Sequence, residues 1–82
     1  MKILVNVSVP AIMQNFDVMI PESLHVSDVT ELIVEAVAEK TNHEYRPSGE
    51  ELLCLKRADI VLDGTLCIDQ CGVINGDTLV LI

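Results

Sequence analysis

Hydrophobic and polar side chains alternate along the first nine residues. Ile3, Val5, Val7 and Val9 fall on one face, with Lys2, Leu4, Asn6 and Ser8 on the other. That period of two marks a half-buried β-strand. A second such run follows Pro10, with Phe16, Val18 and Ile20 inward and Asp17 and Met19 outward. The two runs predict a hairpin turning between Pro10 and Asn15, and Pro21 ends the second strand because it has no amide to donate. The period then changes. Val29, Leu32, Ile33, Ala36 and Val37 recur at i, i+3, i+4, i+7 and i+8, the stripe of an amphipathic helix over residues 28–41. Ser27 and Asp28 suit its N-cap, Asp28 and Glu31 have capping-box spacing, Lys40 suits the last turn, and Asn42 can stop it.

From Asn42 to Glu51 the chain is polar, with Arg46-Pro47-Ser48-Gly49 as turn chemistry, so it reads as a loop carrying the only tyrosine, Tyr45. Leu52–Lys56 and Ile60–Leu62 predict two short strands, Asp63-Gly64 and Asn75-Gly76-Asp77 predict turns, and Thr78–Ile82 closes the chain as a last apolar strand. The order is β-β-α-β-β-β. The two terminal strands, both aliphatic, are expected side by side at the sheet centre. As a parallel pair they need a long crossover, which the helix supplies. The predicted architecture is an α+β β-grasp: a mixed sheet with one helix packed across one face, forming a single domain over residues 1–82.

Composition narrows the partners more than the fold. Five Lys and Arg stand against thirteen Asp and Glu, a net charge of −8. Binding to a nucleic-acid backbone depends on clustered cations, so nucleic acid is excluded as a partner. The same sign disfavours anionic membrane surfaces and favours basic or apolar protein partners. No apolar run approaches the length of about 18 residues needed to insert into a membrane. Asn6, Ser8 and Pro10 interrupt any secretory h-region at the start. Three cysteines (Cys54, Cys67, Cys71) cannot all pair within one chain, which reads as reduced thiols in a cytoplasmic protein.

The plan resembles ubiquitin-like proteins over essentially the whole chain. The most specific stretch is Asp63-Gly64 followed by Ile68-Asp69-Gln70-Cys71-Gly72-Val73-Ile74-Asn75-Gly76-Asp77-Thr78-Leu79. It is similar to the ubiquitin-like pattern of a turn, a short helical turn, then Gly-hydrophobic-x-Asn-Gly-Asp-x-Leu into the last strand. With the chain length, it most resembles the YukD/EsaB family of small bacterial ubiquitin-like proteins, which accompanies type VII (WXG100-type) secretion. The resemblance implies a non-enzymatic accessory or regulatory protein that contacts other proteins, secretion-machinery components among them.

Two other functions are weighed against it. Ubiquitin-like modifiers and sulfur carriers resemble each other in ending with a flexible Gly-Gly tail. Here Gly49, Gly64, Gly72 and Gly76 are all internal and the chain ends Leu79-Val80-Leu81-Ile82, so a modifier or carrier role is disfavoured. A thiol redox sensor would use Cys67 and Cys71. Their spacing is not C-x-x-C and no fourth ligand joins them and His25 or His43, so neither metal nor cofactor is expected. The simpler reading makes Cys54 and Cys71 small core residues and leaves Cys67 partly exposed. No nucleophile stands beside a base, and a fold this small is not expected to leave a pocket above about 300 Å³.

Two surfaces remain as candidate protein-binding sites. Glu31, Glu35 and Glu39 form an i, i+4, i+8 stripe on the outer helix face: a solvated face in the simpler reading, a docking ridge for a basic partner in the other. Alternation also sets Leu4, Val80 and Ile82 on the sheet face away from the helix, the face that ubiquitin-like folds use for recognition. Whether Leu53 or Cys54 joins them, and whether that face meets a second copy of the chain, stays open.

Overall fold

In the computed structural model, which describes residues 1–82, strands β1 (Lys2–Val9) and β2 (Gln14–Pro21) form an antiparallel hairpin. Its register runs from Val9↔Gln14 to Lys2↔Pro21. A single 3-10 turn over Pro10–Ile12 and Met13 in the left-handed region (φ 53°) make the connection. Ile3, Val5, Val7 and Val9 are buried as the alternation predicts. On β2 only Ile20 is fully buried, while Phe16 and Val18 pack half-buried against the core, because β2 lies at the sheet edge.

Helix α1 spans Val26–Lys40, so it starts two residues before the predicted boundary. Neither Ser27 nor Asp28 caps it: His25 holds the N-cap position without a side-chain bond. The free amides at a helix start need acceptors, and the backbone supplies them. Val26 N–H donates to Leu66 O (2.8 Å) and Ser27 N–H to Gly64 O (3.2 Å). The turn after Asp63 thus takes the place of a capping side chain. At the other end Asn42 (φ 54°) and His43 (φ 65°) are left-handed, which stops the helix where expected.

The buried helix face is also rotated from the predicted stripe. Val26, Val29, Thr30, Ile33, Val34 and Val37 are buried, whereas Leu32 is 52% exposed. Thr30 counts as polar in a hydrophobic pattern, yet its hydroxyl donates to Val26 O (2.8 Å) and leaves no unsatisfied group inside. Val34→Ala is therefore expected to cost about 1.5 kcal/mol or more, and Leu32→Ala under about 0.5 kcal/mol. Urea unfolding of the two variants checks this; the predicted stripe would reverse their order.

Strands β3 (Leu53–Leu55), β4 (Ile60–Val61) and β5 (Thr78–Leu81) complete a five-stranded sheet of order β2-β1-β5-β3-β4. β5 pairs parallel with β1 and antiparallel with β3, so the two ends of the chain meet at the centre. One helix over this mixed sheet is the predicted β-grasp. Leu53, Leu55, Leu79 and Leu81 face the helix with the β1 residues, joined by Ile68 from the 3-10 turn Ile68–Cys71. Tyr45 joins them from the loop, 8% exposed.

Candidate functional site

The sheet face away from the helix is built by register. Leu53 and Leu55 take the inward positions of β3, so Cys54 points outward, which answers the open choice between Leu53 and Cys54. Cys54 is therefore half-buried on a sheet surface, not the core residue expected. It pairs with Val80 on one side and Val61 on the other. Next to this row, Ile82 and Leu52 continue the ladder through reciprocal backbone hydrogen bonds of 3.0 and 2.8 Å. Val61, Leu52 and Ile82 are each at least half exposed. The result is one apolar patch of Val61, Cys54, Val80, Ile82 and Leu52 across three strands.

Leu4 lies on the same face but outside that patch. It pairs with Met19, and both are exposed. Val80 is opposite Ser8, four residues further along β1, about 13 Å away at strand spacing. Between them runs a polar row of Asp17, Asn6, Thr78 and Lys56, within which the Asn6 amide donates to Asp17 Oδ1 (3.2 Å). The three apolar positions the alternation grouped together are thus split two to one.

Beside the helix the structure holds a feature the sequence reading did not expect, a groove of about 480 Å³. Leu53 and Leu62 line it with Val26, Thr30 and Val34 of α1, and Pro47 and Gly49 of the loop form its far wall. Glu51 holds that loop in shape. Its Oε2 accepts the Ser48 N–H (2.6 Å), the Ser48 hydroxyl and the Tyr45 hydroxyl (3.1 Å), and its Oε1 accepts the Gly49 N–H. Burial works against the Glu51 carboxylate, but these bonds outweigh it and hold the group below its usual range. Glu31 and Glu35 line the groove while Glu39, also exposed, lies beyond it, so the acidic stripe divides as well.

Burial, and then the bond to Glu51, push the Tyr45 phenol up to about 12. A raised acid stabilises the fold below its unfolded value and loses that contribution as the pH climbs through its folded value. Tyr45, the only tyrosine, is therefore expected to ionise near 12 in an ultraviolet titration, with Glu51→Gln moving the transition down. An unchanged midpoint in the variant would leave burial as the whole cause.

The thiols have structural explanations. Cys67 opens the 3-10 turn: its backbone carbonyl accepts the Gln70 N–H (3.0 Å) while Gln70 Oε1 accepts the Cys67 N–H (2.9 Å). This reciprocal pair holds Cys67 at the start of the turn. Cys71, the last residue of that turn, packs half-buried against the core, not within it as expected. Burial first, then the Asp63 carboxylate, raise its thiol above the ordinary value, opposite to the shift of a reactive thiolate. No helix is long and apolar enough to cross a membrane.

Comparison with known proteins follows the same lines. The sequence model of the family described as "WXG100 protein secretion system (Wss), protein YukD" matches residues 4–81. No curated protein matches the chain. Among solved structures the chain is similar to the EccD5 ubiquitin-like domain from Mycobacterium xenopi, at a TM-score of 0.82 and 16% identity over 100% of this chain and 93% of that one. It is similar to the ubiquitin-like domain of the Mycobacterium tuberculosis type VII secretion system protein ECCD1, at 0.79 and 14% over 100% and 98%. A chain of the MycP5-free ESX-5 inner membrane complex matches at 0.81 and 21%, over 99% of this chain and 20% of that longer one. At these identities the likenesses show the ubiquitin-like fold alone.

Proposed function

We propose a function from one premise: the chain belongs to the YukD family of the WXG100 protein secretion system. It is a ubiquitin-like domain associated with type VII secretion. Within that system it acts as a non-enzymatic accessory or regulatory component in the cytoplasm, a single domain over residues 1–82 that docks on another protein of the machinery. The inner membrane complex that contains a similar chain supports a partner of that kind.

The observation that carries this reading is the apolar patch of Val61, Cys54, Val80, Ile82 and Leu52 on the uncovered sheet face. Scattered exposed aliphatics are ordinary, but contiguous ones on adjacent strands favour an interface. Within it Val80 adjoins Cys54 across strands and Ile82 along the chain. A charge placed there would be desolvated on docking, so Val80→Asp is expected to weaken the complex by roughly 30-fold or more, the scale of an interface hot spot. Leu4→Asp, across the polar row, is expected to leave it near wild type. The measurement is retention of secretion-machinery proteins from a lysate of the source organism by the tethered chain, with circular dichroism confirming that each variant folds. If neither substitution alters retention, the outer sheet face is not the contact.

A further inference from the structure

The groove beside α1 differs from the outer patch in shape and in charge. Its lining includes Glu31, Glu35 and Glu51 and has no lysine, arginine or histidine. Glu51 is occupied by Tyr45, Ser48 and Gly49. Glu31 and Glu35 are exposed and take part in no ion pair, since the one salt bridge in the protein joins Arg57 to Asp77. Below them the groove is lined by Val34, Leu53 and Leu62, none more than 8% exposed, with Leu52, 50% exposed, as its accessible apolar side chain. Its volume, about 480 Å³, is ample for an aliphatic side chain and its backbone.

An apolar floor beneath two unpaired carboxylates one helical turn apart selects a definite chemistry. The occupant needs an aliphatic group to displace water from the floor and a cation to meet the helix rim. We infer that this groove is a second docking site, taking a short peptide segment of a partner protein in which a leucine-like side chain stands next to lysine or arginine. The aliphatic side chain packs on Leu52 above Val34, Leu53 and Leu62, and the cation pairs with Glu31 or Glu35. Leu52, which borders the groove and faces the outer patch, lets one partner chain run from one surface to the other. This inference rests on the chain being a protein-docking domain, but not on the outer face being the contact.

Nuclear magnetic resonance of the full isotope-labelled chain tests it with two short synthetic peptides, one alternating leucine with lysine and one alternating leucine with glutamate. The lysine peptide is expected to shift the amides of Ser27, Glu31, Glu35 and Gly64, and added salt to weaken it. Glu31→Gln with Glu35→Gln should weaken it about fivefold, the upper scale of one exposed ion pair. Val80→Asp should leave this binding intact, which separates failure of the groove from failure of the outer face. The inference is overturned if the glutamate peptide binds equally or the double variant binds unchanged. It also fails if shifts are confined to β5 and β3 or absent. Concentration-dependent shifts of the same amides without peptide would assign the groove to a second copy of the chain and overturn it too.

Discussion

Leu79→Ala is expected to cost about 3 to 4 kcal/mol of folding stability, near the upper part of the range for truncating a buried leucine. Leu79 is fully buried in β5, the strand that joins the two halves of the sheet. Val7 of β1 stands opposite it on one side and Leu55 of β3 on the other, each no more than 2% exposed. Both neighbours are fixed by ladder hydrogen bonds, so the space left by the lost carbons cannot close by a shift of one strand. A chain of 82 residues has a total stability of about 4 to 12 kcal/mol, so one truncation here removes a large share of it. Urea unfolding should show a sharp fall in midpoint with little change in slope. A loss below about 1 kcal/mol would mean that the centre of this sheet repacks freely, contrary to the geometry.

Asp77→Ala is expected to cost about 2 to 3 kcal/mol, through polar chemistry instead of packing. Asp77 is 7% exposed and ends the turn that feeds β5. Arg57 grips it at both oxygens, Nε to Oδ1 and Nη2 to Oδ2, each at 3.0 Å, and the Ile74 N–H donates to Oδ2 (2.9 Å). The same guanidinium donates to Gly72 O (2.9 Å), so the β3–β4 connection is tied to both ends of the turn. The turn is also sewn to β1, with Asn75 Oδ1 accepting the Leu4 N–H (2.8 Å) and Gly76 N–H donating to Leu4 O (2.7 Å). Removing the carboxylate strands the Ile74 amide, while the Arg57 side chain, 53% exposed, can still be hydrated. That access to water keeps the cost below the one for breaking a fully buried pair.

The same group sets an acid dependence. The hydrogen bonds from Arg57 hold the Asp77 carboxyl below the usual carboxylate range, although burial opposes them. A depressed acid contributes its full stability above its unfolded value and loses it as the pH falls through its folded value. Wild-type stability should therefore decline on acidification below the ordinary carboxylate range. Asp77→Asn, which keeps an acceptor for Ile74 but cannot titrate, should flatten that decline.

Much of the fold is legible in the residues because the pattern and the local chemistry agree. The alternation of β1, the Asn-Gly-Asp turn and the aliphatic last strand lead to a hairpin, a crossover and a parallel central pair, and these are the elements found. The helix face is less legible. Thr30 and Leu32 lie on opposite sides of the Val29–Ile33–Val37 line, and hydrophobicity alone favours the wrong one, since it ignores the Thr30 hydroxyl's bond to the preceding turn. Tyr45 shows the same limit: a lone aromatic in a polar loop is a signal of anchoring, but its partner Glu51 is identified only when the loop closes.

The candidate surfaces depend on register, which alternation within a single strand does not define. Leu4 and Val80 each face outward, but only the pairing of Ser8 with Val80 shows that a polar row divides them. Cys54 and Val61 join the patch through pairings between strands that are short and apolar on successive residues. The groove is built from the Val26–Glu35 part of α1, one loop and the β3–β4 side of the sheet, elements whose packing no local pattern encodes.

As proposed above, this domain meets the secretion machinery through the outer face of β5, β3 and β4. Site-specific photocrosslinking in living cells tests it most directly, with a benzophenone side chain replacing Val61 or Ile82 in one set and Ile74 in another. All three are exposed, so the label perturbs the fold little. Positions 61 and 82 are each expected to give a covalent adduct with a component of the secretion machinery, and position 74 none. Adducts from position 74 alone, or none from 61 and 82 in cells that are actively secreting, would contradict it.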